Sequence, residues 1–130
     1  MTPSPLNAQD VEQAAAALLS YATTVAHGLA ELAVRNERYD ELAALAAAAH
    51  ADQASCHLPL PEGPPTDADR GIDHHELIRR MEAAADALDE LGRCSADPRE
   101  VRDRHTAAFH ARAAVVALRN ALPVEEGAVG

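Results

Sequence analysis

The chain has no lysine and no tryptophan, only three aromatic residues (Tyr21, Tyr39 and Phe109), and only two cysteines, Cys56 and Cys94. Each shortage removes a class of protein. All eleven bases are arginine, against 21 acidic residues, so the net charge is −10. A surface this acidic repels the phosphates that nucleic-acid binding has to neutralise, so no direct nucleic-acid contact is expected. Two cysteines cannot build a disulfide framework, and both read as free thiols. In an up-down bundle they would sit at opposite ends of the second and third helices. With so few aromatics and 31 alanines among 130 residues, any core must be thin and close-packed. No run of alternating β-branched or aromatic residues is long enough to make a strand, and alanine strongly favours helix, so the expected fold class is all-α.

The opening MTPSPLNAQDVEQ carries neither the basic nor the apolar region of a targeting segment. No stretch reads as the roughly 20 apolar residues of a membrane span. The expectation is a cytoplasmic protein with no membrane contact.

Periodicity divides the chain into four helices. The clearest is DHHELIRRMEAAADALDELG, residues 73–92, where Leu77, Met81, Ala84, Leu88 and Leu91 recur at alternating spacings of four and three and so share one face. Asp73 reads as its N-cap, Glu76 completes a capping box and Gly92 reads as its stop. Before it, Val11, Ala15, Leu18, Ala22, Val25, Leu29 and Leu32 repeat the same spacing over 7–35, a rod of about 43 Å. Asn7 is its expected N-cap, with Leu6 and Val11 as a hydrophobic staple. Asn36 to Tyr39 reads as a break, and a second helix over 39–55 carries the weakest stripe: Leu42, Leu45, Ala49 and then Gln53 or Cys56. The fragment ERYDELAALAAAA (37–49) is similar to the turn and second-helix start of a tetratricopeptide repeat. The unit occurs once, and Ala26 and Ala30 stand where that family has an aromatic residue and a glycine, so the family is not carried over. Residues 57–70 hold four of the eight prolines and read as a long connecting loop. The last helix, 97–121, opens on Asp97-Pro98-Arg99-Glu100, an N-cap followed by proline at the first helical position. The sum is one domain over 1–130: an up-down four-helix bundle with flexible tails at 1–6 and 123–130 and a Pro-rich loop between the second and third helices.

Few residues point to chemistry. A di-iron bundle needs Glu-x-x-His pairs and a helical zinc site needs His-x-x-x-His, and the chain has neither in spite of seven histidines; no metal or cofactor is expected. There is no phosphate-binding glycine loop and no nucleophile elbow. His74 lies seven residues before Met81, which places it at an inward position at the start of the third helix. Cys94 follows Arg93 in a turn with no histidine near in sequence. His105, Arg112 and Arg119 form a line of positive charge at seven-residue spacing on the last helix. Phe109 and Val116 fall outside that helix's apolar stripe, and Gly28 offers a place of close approach on the first. These residues favour an interaction module, an adaptor, regulator or accessory subunit acting as a homodimer with an unidentified protein partner. A bundle holding a small molecule or metal, with or without catalysis, is the alternative.

Overall fold

The structure is a computed structural model that describes residues 6–60 and 72–123, with side chains from residue 8 onward. Asn7 is already inside α1, which begins at Leu6, so it is not the N-cap that the sequence predicts; the Leu6–Val11 side-chain contact, the two tails and most of the Pro-rich connection lie outside the described residues. Four helices and no strand occur among them: α1 (Leu6–Arg35), α2 (Glu41–Cys56), α3 (His74–Cys94) and α4 (Pro98–Ala121). Their starts follow from short acidic side chains. Asp40, Asp73 and Asp97 each leave helical backbone and accept from an amide of the first turn, at Ala43, Glu76 and Arg99 respectively, which satisfies donors that the helix itself cannot. The break after α1 is an Asn36 turn, in which the side-chain oxygen accepts from the Arg38 amide at 3.0 Å. Gly92 is not the stop that periodicity predicts. It is buried inside α3, which continues to Cys94 and closes on Ser95.

Cross-helix contacts fix the directions. Asp40 donates its amide to the Ala121 carbonyl, His50 meets His110 and His57 meets Asp103, so α2 and α4 are antiparallel. Glu82 pairs with Arg119, Asp86 with Arg112 and Asp89 with His105, so α3 and α4 are antiparallel as well. It follows that α2 and α3 run the same way and that the chain order is up, down, down, up. The expected up-down alternation is thus corrected. α4 packs on α2 and α3, and α1 packs on α2 and more lightly on α3; α1 and α4 barely meet across the diagonal. The end of α2 and the start of α3 lie at opposite ends of the bundle, roughly 36 Å apart along its axis, a span that the connecting residues can reach. Because α2 and α3 are parallel, Cys56 and Cys94 fall at the same end rather than at opposite ends, and both are exposed free thiols.

Alanine dominates the interior. Of the 27 buried apolar residues among the described ones, 17 are alanine, and α2 buries Ala44, Ala47, Ala48, Ala51 and Ala54 between α1 and an alanine-rich face of α4. The bulk comes from Leu19, Leu77, Met81 and Leu88, the largest fully buried side chains. The stripe predicted for α2 is on the wrong side. Leu42 is 78% exposed, Leu45 44% exposed, and Ala49 is also turned to solvent. The physical reason is that α2 lies between α1 and α4, where small side chains allow both neighbours to approach closely and leucines would hold them apart. By length and composition α1, over Ala8–Arg35, is apolar enough to cross a membrane, contrary to the expectation that no stretch is. Here it forms one wall of the bundle, with Leu18, Leu19, Ala22, Ala26 and Leu29 buried.

Candidate functional site

Three groups of side chains stand apart from the alanine core. The first is an ion-pair ladder where α3 meets α4. Arg119 reaches Glu82 at 2.9 Å, and Arg112 reaches Asp86 at 2.8 Å and Asp89 at 2.5 Å. His105 Nδ1 lies 2.7 Å from the other Asp89 oxygen. Burial opposes ionisation of Asp89, but hydrogen bonds from His105 and Arg112 outweigh it and hold the carboxyl below its ordinary range. The same bonds, to Asp86 and Asp89, raise Arg112. The line of positive charge expected on α4 is therefore neutralised from within the molecule. His105 resembles half of a catalytic dyad, yet its Nε2 is turned against Gly92, where a Cβ would stand 2.8 Å from it. Gly92 is the clearance for this ring. With one nitrogen bonded to Asp89 and the other set against Gly92, the ring ties α4 to α3, although its side chain is still 40% exposed.

The second group centres on Arg104, a residue that periodicity alone does not single out. It is the only buried charged side chain among the described residues, 8% exposed. Its guanidinium donates to both carboxylate oxygens of Glu12 on α1, at 3.4 and 3.2 Å, and to the Leu91 carbonyl at the end of α3, at 3.3 Å. One side chain thus joins three helices at one end of the bundle. No buried side-chain nitrogen or oxygen is left without a partner among the described residues, so the buried charge is fully compensated.

The third group is a histidine cluster between α2 and α4, also missed because its members are 60 residues apart in sequence. His50 and His110 bring their Nδ1 atoms to 3.1 Å. Their ring centroids are 5.3 Å apart, so the centroids exceed the nitrogens by 5.3 − 3.1 = 2.2 Å and the rings meet nearly head-on. That is the geometry of one shared proton between two imidazoles, with one ring donating and the other accepting. A metal ion between them would need bonds of about 2.0 Å to each nitrogen, more room than a head-on contact of 3.1 Å leaves. Consistent with this, no group of three or more His, Cys, Asp or Glu side chains among the described residues is placed to hold a metal ion. His57 stacks parallel on His110 at 6.4 Å and contacts Asp103 at 3.3 Å. Burial, together with the nearby His50 and His57, pushes His110 below the ordinary histidine value.

The remaining candidates scatter. His74 is exposed, a correction to its expected inward position: Glu82 pairs with Arg119, so the first turn of α3 lies past the end of α4. Cys94 is exposed with its sulfur 4.0 Å from a Glu90 oxygen. Gly28 is exposed with open space where a side chain would be, and α2 separates it from α4. Phe109 and Val116 are exposed, at 63% and 56%, on the outer face of α4, where the Phe109 ring also meets His110 edge-on at 5.2 Å.

Comparison with protein-family models, with curated proteins and with solved structures finds no match to this chain.

Proposed function

We propose that the protein is a helical interaction module, an adaptor, regulator or accessory subunit that works in the cytoplasm and self-associates through the outer face of α4. One observation carries this reading: Phe109 and Val116, an aromatic and a β-branched residue one heptad apart, both stand outside the core. Large apolar side chains placed together on a surface mark contacts with other chains. The flanking charges suit a two-fold contact. Arg112 and Arg119 are already paired with Asp86, Asp89 and Glu82, so two copies of this face can meet without opposing unpaired like charges. A two-fold dimer is also the commonest assembly for a soluble chain. The competing reading, a ligand held between the helices, needs room that an alanine-filled seam does not offer, and the concavities along the end of α1 and the start of α2 open broadly to solvent.

Light scattering on the full chain tests the proposal. A mass near 27 kDa, twice the 13.7 kDa of one chain, is the expected result. A species that stays at the mass of one chain through the micromolar range rejects self-association.

A further inference from the structure

We infer that a second face of the molecule, the outer groove between α1 and α2, is a docking site for an amphipathic helix with basic flanks supplied by another protein. This rests on the interaction reading above but on different residues. Over residues 42–49, α2 is apolar on both faces. Its alanines fill the core, while Leu42 and Leu45 stand in solvent. A helical stretch that is apolar all round belongs in an interior, so the outer face of the first half of α2 is a surface still to be covered, while Asp52 and Gln53 make the second half an ordinary solvent face. Val34, 72% exposed near the end of α1, extends that surface across the helix pair. The groove it shares with Leu45 is lined by His27, Ala30, Glu31, Val34, Glu41 and Leu45. Ala30 is buried and forms the floor. Such an apolar trough beside two helices suits a third helix, seated by residues spaced three and four apart.

Charge selects the occupant. Glu31 and Glu41 flank the groove, and no guanidinium lines it; Arg35 and Arg38 line the neighbouring concavities. Neither glutamate makes a side-chain hydrogen bond or ion pair among the described residues. The contrast with the other side of the molecule is direct, because there Glu82, Asp86, Asp89 and Glu90 each hold an arginine. Free carboxylates beside exposed leucine and valine favour a partner that brings cations and an apolar stripe together. A second copy of this chain is the poorer occupant, since a symmetric contact would bring Glu31 and Glu41 toward their own copies, whereas the carboxylates beside the α4 face are already paired with arginine.

The probe is a synthetic 18-residue helical peptide with leucines along one face and lysines flanking them, added to the isotopically labelled full chain and followed by NMR amide shifts and fluorescence anisotropy. Shifts confined to the end of α1 and the start of α2 are expected. Generic attraction between a cationic peptide and an acidic protein is separated by Leu45→Asp. That change makes the protein more negative, so generic attraction would strengthen, whereas groove docking should weaken by about tenfold or more. Phe109→Asp adds the same charge on the other face and should leave peptide binding within about twofold of the unmodified chain. Circular dichroism confirms that both variants fold. Shifts that map elsewhere, a Leu45→Asp variant that binds as well or better, or no binding at about millimolar peptide would each overturn the inference. Light scattering on the same samples keeps the two proposals apart: a dimer that ignores the peptide refutes only the groove, and a monomer that binds it refutes only self-association.

Discussion

Two substitutions on α2 should behave opposite to what hydrophobicity suggests. Leu42 is 78% exposed, so only about a fifth of the 1.5–3 kcal/mol gained by burying a leucine is at stake, roughly 0.3–0.6 kcal/mol. Alanine's better helix propensity returns a few tenths of that. Leu42→Ala should therefore change stability by less than about 0.5 kcal/mol. Ala47 is 1% exposed in the α2–α4 seam, and three added carbons there must push two helices apart or force side chains off their rotamers. Overpacking of this kind costs about 1–3 kcal/mol, so Ala47→Leu should lower Tm by several degrees, at about 4 °C per kcal/mol for a chain this size. Urea denaturation followed by circular dichroism measures both. If Leu42→Ala cost more than about 1.5 kcal/mol while Ala47→Leu were harmless, α2 would be rotated with its leucines inward, and the surface argued from them would not exist.

Three further outcomes follow from the side-chain groups. Leu88 is fully buried on α3, and Leu88→Ala should cost about 2–5 kcal/mol in the same assay; a loss below about 0.5 kcal/mol would place it outside the core. Arg104→Ala strips Glu12 and the Leu91 carbonyl of their shared donor and should cost about 2–4 kcal/mol, with a neutral result showing that the three-helix junction contributes nothing. The pH dependence of stability should carry the mark of His110. Its folded value is lowered by burial, then by His50 and His57, so the unfolded chain takes up the proton first. Stability from this group is complete above the unfolded value, about 6.5, and falls as pH drops from there toward the lowered folded value. His110→Gln should flatten that part of the curve; parallel curves for the variant and the unmodified chain would contradict it.

Most of the fold was readable because its signals are local. Asp73 and Asp97 cap the helices that their positions predict, and of the four-three stripes of α1 and α3, Leu18, Leu29, Leu77, Met81 and Leu88 are buried, whereas Leu32, the last of the α1 stripe, is 39% exposed. What failed depended on neighbours. Hydropathy ranks leucine above alanine and so read α2 through Leu42 and Leu45, but a seam between two close helices selects for size, and Ala44, Ala47 and Ala51 won. The direction of α3 could not be read across a connection rich in proline, and the placement of Cys56 and Cys94 failed with it. The Arg104 junction and the His50–His110 contact join residues 92 and 60 positions apart, and no periodicity within one helix reports such a pair. The exposed Phe109 and Val116 were legible, since both fall outside the stripe of α4.

The most direct test of the account compares sedimentation of the unmodified chain with that of Phe109→Glu. Phe109 is exposed in one chain, so the substitution should leave helix content nearly unchanged, yet it would place an unpaired carboxylate in any contact built on α4. The account predicts a dimer for the unmodified chain and a monomer of 13.7 kDa for the variant. Equal masses for the two, whether both monomeric or both dimeric, would contradict it.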